Sequence, residues 1–493
     1  MTYAALAPMS AEFSGSKLPD GRLIRRLMTF AGACADKPGV SLPEKAGNSA
    51  ALEGTYRLLD NENVTPEAVL AAHVQCTLAR AANHRQVIVA HDTTEFAFGG
   101  VVRREGLGEL NEKGRQGFYA HFSFCVSLQG EPLGVVGLYA WRREGTSKGK
   151  RSKRASQNDP DRESLRWLES ALEVGELFQG QSEVLHVMDR EGDSYELMAT
   201  LLEYDQEFII RLCHDRRLEP GREAADNESN KLFNSMAKAP FWFKRDVMIG
   251  ARDNQRESDK TKKKFPTRAS RLARLEVRAE SKEIFIGNGA PAHLTPSLRL
   301  NFIDIREVGQ PDGQEPVLWR LVTPQPIDTA EQVAAIIDGY CRRWTIEEFF
   351  KSLKTGCCYE HLQLESAHSL LVALAVYAAV AWRLLTIRWF AHHQPQADAT
   401  HVVTPIQLAV LRAVGNKIGR PLPDNPTAAQ VLFTVAGLGG HIKNNGKPGW
   451  LVLRRGFHAL LLMELGWLLM AQGWVQGSEG TNGTDSKKDA INH

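Results

Sequence analysis

Residues 86–92 read QVIVAHD, and residues 182–189 read SEVLHVMD. Each stretch is an apolar run, rich in Val, Ile and Leu, that closes on an aspartate and is followed by polar residues. Such runs predict buried strands ending at Asp92 and Asp189. In open α/β sheets the carboxyl ends of the strands face the ligand crevice, so we expect both acids to lie there. Taken alone, each Asp is more typical of a turn or a helix cap.

A cluster of charged residues lies in the stretch IIDGYCRRWTIEEFFKSLKTG, residues 336–356. No Pro or Gly interrupts the run from Tyr340 to Lys354, so we predict one helix across it. Four of its polar side chains then share an arc of about 60°: Tyr340, Arg343, Glu347 and Lys354. The neighbouring Glu348 falls outside that arc. A solvated helix face with Glu–Lys pairs is the simpler explanation of such a row taken alone.

The two acids at the strand ends favour a metal site over a solvated helix face. Carboxylates at strand ends, joined by a Glu from a helix laid across the sheet, form the oxygen-rich site that Mg²⁺ or Mn²⁺ prefers. We therefore predict that Asp92, Asp189 and Glu347 are the catalytic residues and hold two Mg²⁺ ions, for which Mn²⁺ can substitute. Two such ions suit an in-line phosphoryl displacement.

The spacing Tyr340-x2-Arg343-x3-Glu347-x6-Lys354 carries a resemblance. It matches the Y-x2-R-x3-E-x6-K signature of the cut-and-paste DDE transposases of insertion-sequence family four, the group that contains the Tn-five transposase. Four further segments resemble that family: GTYRLLDNENVTPEAV (54–69), HDTTEF (91–96), MDREGDSYEL (188–197) and LLMAQG (468–473). The resemblance thus extends over nearly the whole chain.

The resemblance implies a reaction course and partners. Water would first attack the DNA phosphate, and the freed 3′ hydroxyl would form a hairpin at the transposon end. A second hydrolysis and strand transfer into target DNA would follow at the same site. The partners implied are transposon-end DNA, target DNA and a second copy of the chain, because the family cleaves within a synaptic complex that pairs two ends.

The resemblance also implies roles for residues around the acids. Tyr340, Arg343 and Lys354 would bind phosphates beside the scissile bond, Arg343 through its bidentate guanidinium. Trp319, in VLWRLVT, matches the family position that packs where a base is flipped out; plain core packing is the alternative. Arg190 and Asp193 are further candidates, as residues that contact the metal ligands and hold them in place.

The fold class predicted from these patterns is α/β: a ribonuclease-H-like catalytic core with a β-rich insertion, flanked by N- and C-terminal helical domains. The predicted boundaries are 1–70 for the DNA end-binding domain, 71–392 for the catalytic domain with its insertion at about 215–328, and 393–493 for a C-terminal dimerisation region with a disordered tail.

Basic residues outside the core predict DNA contacts. Arg22, Arg25 and Arg26 cluster on a predicted N-terminal helix. An ordinary helical subdomain is as consistent with that composition, and the resemblance favours DNA. The loop 142–156 has seven Lys or Arg against one Glu, and a second dense basic run opens the segment KTKKKFPTRAS (260–270).

The apolar helix at 455–473 is the predicted dimer contact. Its apolar residues include Phe457, Leu460, Leu461, Leu465, Leu468 and Leu469, a stripe broader than one packed face needs. Packing within the chain is the alternative that the stripe alone favours slightly, and the resemblance reverses that order.

Composition bounds the remaining classes. The 493 residues carry a net charge of only +2, so the distribution of charge, and not its sum, indicates a nucleic-acid partner. Seven cysteines without CxxC spacing predict a reducing cytoplasm and no structural zinc site. The apolar stretch 370–387 contains Arg383, Trp and Tyr and is predicted to be a buried core helix, not a membrane span. We expect a soluble, cytoplasmic, bacterial protein with no N-terminal signal.

Two other functions fit part of the pattern. A metal-dependent nuclease or resolvase of the same fold would use the three carboxylates but would not need the Tyr-Arg-Lys row. A non-catalytic DNA-binding inhibitor of transposition would not need the carboxylates.

Overall fold

The structure is a computed structural model that describes residues 7–100, 102–110, 115–143, 165–220, 230–250, 267–287, 293–311, 314, 316–442 and 446–477. The chain divides into two compact units. One consists of Leu70–Glu348, and the other combines Met1–Val69 with Phe349–His493. Most of the basic loop 142–156, the basic run 260–266 and the tail from 478 lie outside the described residues.

Strands occur in the unit Leu70–Glu348. They are β1 Gln86–Phe98, β2 Gly108–Glu109, β3 Gln116–Ser127, β4 Pro132–Trp141, β5 Glu183–Met188, β6 Glu207–Arg211, β7 Phe241–Ile249, β8 Arg271–Phe285, β9 Ser297–Val308 and β10 Leu318–Thr323. These ten strands form one mixed sheet in the order β2-β3-β1-β5-β6-β10-β9-β8-β7, with β4 paired to β3. The protein is therefore mixed α/β.

The first half of the sheet can be compared with the sequence pattern. The stretches QVIVAHD, GFYAHFSFCVSL and GEPLGVVGLYAWR predict three antiparallel strands with a hairpin across QGE, and SEVLHVMD and EFIIRLC predict parallel strands after a crossover helix. β1 pairs antiparallel with β3, and β3 forms the expected hairpin with β4 across residues 128–131. β1 then runs parallel to β5, and β5 runs parallel to β6. Parallel neighbours need a crossover between them, and the helix Leu165–Leu177 lies between β4 and β5 in the chain. Three antiparallel strands followed by parallel ones are confirmed.

The second half of the sheet comes from the segment after β6. β8 pairs along its length with both β7 and β9, and β10 joins β9 to β6. All these pairs are antiparallel. The apolar stretches LRLNFIDI and VLWRLVT predict strands, and these are confirmed as β9 and β10. The segment continues the core sheet past β6, which places Trp319 on the strand next to β6.

The helices of the described residues are, in chain order, α1 Met9–Glu12, α2 Gly21–Asp36, α3 Leu42–Ala46, α4 Ser49–Leu59, α5 Pro66–Ala81, α6 Leu165–Leu177, α7 Tyr195–Glu203, α8 Leu232–Lys238, α9 Ala330–Cys341, α10 Trp344–Lys351, α11 Ala367–His393, α12 Pro405–Gly415, α13 Ala428–Leu438 and α14 Trp450–Gly477. Asp20, directly before the apolar periodicity of α2, is predicted to be its N-cap, and this is confirmed because its side chain accepts the Arg22 N–H at 2.8 Å.

The core of the other unit is built around α11, which packs against α2, α4 and α13. Within the described part of the chain, α11 is the one helix that is both long enough and apolar enough to span a membrane. Its most apolar window has a mean hydropathy of 2.1. However, 83% of its most apolar window is buried inside the protein. The prediction of a core helix over 370–387 is confirmed.

The prediction of one helix from Tyr340 to Lys354 is wrong. α9 ends at Cys341 and α10 starts at Trp344. Between them Arg343 N–H bonds to Tyr340 O and Ile346 N–H to Arg343 O, the three-residue spacing of a 3₁₀ turn. A π-helical turn, Ser352–Gly356, follows α10. The common arc of four side chains is therefore lost, although Arg343 and Glu347 remain one turn apart.

Candidate active site

Asp92 lies inside a strand and not at its end, contrary to the prediction. β1 continues to Phe98 because it stays paired with β3, where Asp92 lies opposite Phe122. Its parallel pairing with β5, however, ends at His91 opposite Met188. Asp92 thus occupies the first position beyond the parallel pairing, where the β5 edge of β1 is no longer covered.

Asp189 follows β5 directly, as predicted. One of its carboxylate oxygens accepts the Glu191 N–H at 2.8 Å and caps a short 3₁₀ turn. The register that pairs His91 with Met188 would pair Asp92 with Asp189 at the next step. Because neighbouring strands lie about 4.8 Å apart, the two acids start from adjacent points of one sheet edge.

Arg343 connects Asp92 to Glu347. Its Nη1 lies 2.9 Å from Asp92 Oδ2, and its Nη2 lies 3.3 Å from Glu347 Oε1. The Arg343 side chain is only 11% exposed, so this guanidinium is held largely away from water. Asp92 also accepts the N–H of Thr93 at 2.8 Å. The structure therefore groups Asp92 and Glu347 around one buried cation, although 255 positions separate them in the sequence numbering.

The electrostatics of Asp92 reflect this crowding. Burial raises the pKa of Asp92 to about 7, against the lowering effect of Arg343, and the charges of Asp189 and Glu347 raise it further. The charges of Asp189 and Glu347 therefore both act on Asp92. A cluster of carboxylates that disfavour each other's charge is the donor set that a hard divalent cation stabilises, so these residues fit such an ion.

Three histidines behind Asp92 add no positive charge. His91, His121 and His186 are buried on β1, β3 and β5. His91 Nε2 lies 2.9 Å from His186 Nδ1, and its Nδ1 lies 3.0 Å from Ser123 Oγ. Burial lowers the pKa of His121 to about 3 and that of His186 to about 4, and holds the pKa of His91 well below its usual range. These rings are neutral near pH 7.

Tyr340 and Trp319 contact each other beside the acids. Their ring centroids lie 5.8 Å apart in an edge-to-face arrangement. Tyr340 is buried, and burial raises the pKa of its hydroxyl against the lowering effect of Arg343 and Arg211. Trp319 is half-buried and so still presents part of its indole. The two predicted DNA-contacting aromatics are thus neighbours.

A cleft of about 1510 Å³ opens next to these residues, within the unit Leu70–Glu348. Arg343, Glu347, Tyr340 and Trp319 line it. Further arginines do so as well: Arg190, Arg211, Arg268, Arg271 and Arg320. Among the described residues Glu347 is the one acidic side chain of its lining. Such a wall suits a polyanion.

Sequence reasoning missed two residues of this cleft. Arg211 is the last residue of β6, at the same sheet edge as the acids, so the strand-end rule that selected Asp189 could have found it. Trp344 is 57% exposed and follows Arg343 directly. It was overlooked because it is not part of the Tyr-Arg-Glu-Lys spacing.

Lys354 is the signature residue that belongs to the other compact unit. It lies in the π-helical turn Ser352–Gly356. Its Nζ is 3.9 Å from Glu360 Oε1. Its predicted phosphate contact remains a prediction.

Asp193 is buried and bonds to residues that follow β6, and Arg190 lines the cleft. Asp193 Oδ2 accepts the backbone N–H groups of Cys213 and His214 at 2.6 and 2.7 Å, and Oδ1 lies 2.5 Å from Arg216. Asp193, Cys213 and His214 form the one group in the described chain whose potential ligand atoms all lie within 4.8 Å of one another. Both Asp193 oxygens are already engaged, so these contacts explain the group without a metal.

Two family models match the sequence. Residues 8–64 match transposase DNA-binding, and residues 162–382 match the transposase DDE domain. The matched domains are those of a DDE transposase. The DDE match includes Asp189, Arg343, Glu347 and Lys354 but starts after Asp92, which the fold of this transposase brings to the same sheet edge. A DDE domain implies dependence on a divalent metal ion.

Among solved structures, the transposase is similar to a chain of the cryo-EM structure of the piggyBac transposase synaptic complex with hairpin DNA. The identity is 8% and the TM-score is 0.35, over 76% of this chain and 67% of that one.

Proposed function

We propose that this protein is a cut-and-paste DNA transposase of insertion-sequence family four that cleaves transposon ends and joins their 3′ ends to target DNA. The observation that carries this proposal is the grouping of Asp92 and Glu347 about Arg343, with Asp189 at the adjacent strand end. The family matches on either side of Asp92 support it. The strands β4-β3-β1-β5-β6 would form a ribonuclease-H-like core.

Asp92, Asp189 and Glu347 would hold two Mg²⁺ ions, or Mn²⁺ in their place. When bound, these ions would supply the charge that activates the attacking oxygen and stabilises the leaving oxygen in an in-line displacement. The protein's own part is to position the DNA. Arg343, Arg211 and Arg190 would bind phosphates along the cleft, and Tyr340 would support Trp319 where a base leaves the stack during hairpin formation.

The test of this function is a DNA assay with the purified full chain. The substrate is linear DNA with the inverted repeats that flank the gene, and the cofactor is Mg²⁺. We expect release of the fragment between the repeats, hairpin ends on it, and products joined to a second DNA. Cleavage without hairpins or joining would instead identify a nuclease, and binding without cleavage would identify an inhibitor.

The N-terminal segment is proposed to recognise the transposon ends. Its match to a transposase DNA-binding model supports this, as do Arg22, Arg25 and Arg26, which are exposed on α2. Deleting the segment would not be a clean test, because α2 and α4 pack against α11 and their loss would expose the core of that unit. Substitution of the exposed arginines avoids this problem.

We predict that Arg22→Gln, Arg25→Gln and Arg26→Gln together weaken binding to end DNA. Each lost phosphate contact should reduce the slope of log affinity against log salt by about 0.9. The measurement is a fluorescence-anisotropy titration at several salt concentrations. Arg57→Gln is the matched control, since Arg57 is also exposed in this segment but lies on α4, outside the arginine cluster of α2. Unchanged affinity and slope in the triple variant would contradict the assignment.

Homodimerisation through α14 is proposed for the complex with two DNA ends. The predicted stripe divides into two parts. Leu460 is buried in a core with α12 and α13, whereas Leu465, Leu468 and Leu469 are exposed. Packing within the chain therefore explains the first half of the helix and leaves the second half for a partner. In the DNA assay, the mass of the cleaving complex should correspond to two chains and two end duplexes.

A further inference from the structure

The guanidinium of Arg343 holds oxygens that a metal ion would need. It contacts Asp92 Oδ2 at 2.9 Å and Glu347 Oε1 at 3.3 Å, and these are two of the three proposed metal ligands. A carboxylate oxygen that accepts from a guanidinium in this way has its lone pair directed at a cation already. An ion bound to these same two oxygens would compete with the guanidinium for their lone pairs.

The positions of the carboxylates agree with this. Within the described residues, ligand atoms gathered to within 4.8 Å of one another occur at Asp193, Cys213 and His214, and not at the three acids. Asp92 and Glu347 are instead spread to either side of the guanidinium. Arg343 is the cation in direct contact with both Asp92 and Glu347, so it balances negative charge at this point. Removing such a buried cation without replacing its charge is strongly unfavourable.

Arg343 also has a possible second partner, a phosphate group in the cleft that its side chain lines. It lies in the 3₁₀ turn between α9 and α10, and its side chain lines the cleft together with Arg190 and Arg211. A DNA phosphate in that cleft would offer two oxygens to the same bidentate donor. The long side chain can change partner by rotation, while the turn that carries it stays in place.

We propose that Arg343 is a charge-compensating residue that exchanges partners: divalent ions displace it from Asp92 and Glu347, and it then binds a DNA phosphate in the cleft. This inference rests on the proposed function. It makes metal binding and DNA binding cooperative, because each releases the group that opposes the other. If Arg343 were instead a fixed support of the metal ligands, its loss would weaken metal binding.

The test measures Mn²⁺ affinity of the full chain without DNA, by calorimetry and by the electron paramagnetic resonance of free Mn²⁺. We expect Arg343→Gln to bind Mn²⁺ about five- to tenfold more tightly than wild type. Arg343→Lys keeps the charge, but a lysine ammonium cannot bond to both carboxylates as the guanidinium does. We therefore expect it to raise the Mn²⁺ affinity by a smaller factor. Arg342→Gln is the matched control, because Arg342 lies in the same turn and contacts Leu128 O instead.

A second measurement tests the release of Arg343. Wild type should bind end DNA more tightly with Ca²⁺ than with EDTA, and Arg343→Gln should lose most of that difference. Equal or weaker Mn²⁺ affinity in Arg343→Gln would overturn the inference, and Arg343→Lys decides it if the Gln variant does not fold. Failure of the proposed metal site is distinguishable: wild-type Mn²⁺ binding would then be absent, or unaffected by Glu347→Gln.

Discussion

Glu347→Gln is expected to reduce DNA cleavage by about a thousandfold or more, while Glu348→Gln stays close to wild type. The amide cannot supply the negative charge that a divalent ion needs, and it replaces one of three proposed ligands. Glu347 contacts Arg343 and lines the cleft with Tyr340 and Trp319. Glu348 is the next residue on α10 and is not part of that lining.

The measurement is a time course of end cleavage with Mg²⁺ on the same linear DNA for both variants. Circular dichroism and end-binding affinity serve as controls for folding. Asp92→Asn and Asp189→Asn should behave like Glu347→Gln. Equal losses in the Glu347 and Glu348 variants would mean that the acid was chosen wrongly, and full activity in Glu347→Gln would remove it from the site.

Asp189 could be found from sequence because one local rule fixes it. The apolar run SEVLHVM fills β5, and the acid comes where the run stops. Asp92 was found for a reason that proved incomplete. The polar residues Thr93, Thr94 and Glu95 follow it, yet β1 continues to Phe98 because β3 stays paired with it. Pairing with a distant strand leaves no mark in the seven residues QVIVAHD.

The break between α9 and α10 could not be predicted for a similar reason. Neither Pro nor Gly marks it, and the sequence from Tyr340 to Lys354 is compatible with one helix. What accompanies the 3₁₀ turn is the contact of Arg343 with Asp92, a residue 251 positions earlier in the chain. The Arg343–Glu347 spacing was useful because it lies within one turn of backbone. The predicted arc failed for Tyr340 and Lys354 because the backbone changes type on both sides of α10.

Asp193→Ala is expected to lower the free energy of unfolding by about 3–5 kcal/mol. The sequence suggested only that Asp193 supports the metal ligands. The structure gives it a larger part, because its fully buried carboxylate accepts two backbone N–H groups and pairs with Arg216, whose side chain is only 9% exposed. Alanine would leave two partly buried N–H donors without their acceptor and a largely buried guanidinium without its counter-charge.

Urea denaturation of the full chain at pH 7 measures this loss, with Asp193→Asn as the conservative variant. Asparagine keeps an acceptor for the N–H groups of Cys213 and His214 but removes the charge opposite Arg216. The decrease in the free energy of unfolding should therefore be smaller for Asp193→Asn than for Asp193→Ala. Asp246→Ala is the matched surface control, because Asp246 also pairs with an arginine, Arg274, but in contact with water. It should change stability little.

The effect should also reach the active site. Asp193 follows Asp189 by one short turn, and its contacts tie that turn to the residues after β6, where Arg211 ends the strand. Loosening it should therefore reduce cleavage even under conditions where Asp193→Ala remains folded. A loss of stability below about 1 kcal/mol in Asp193→Ala would contradict this stabilising role of the Asp193 carboxylate. Wild-type cleavage in a folded Asp193→Ala protein would show that the turn holds Asp189 without it.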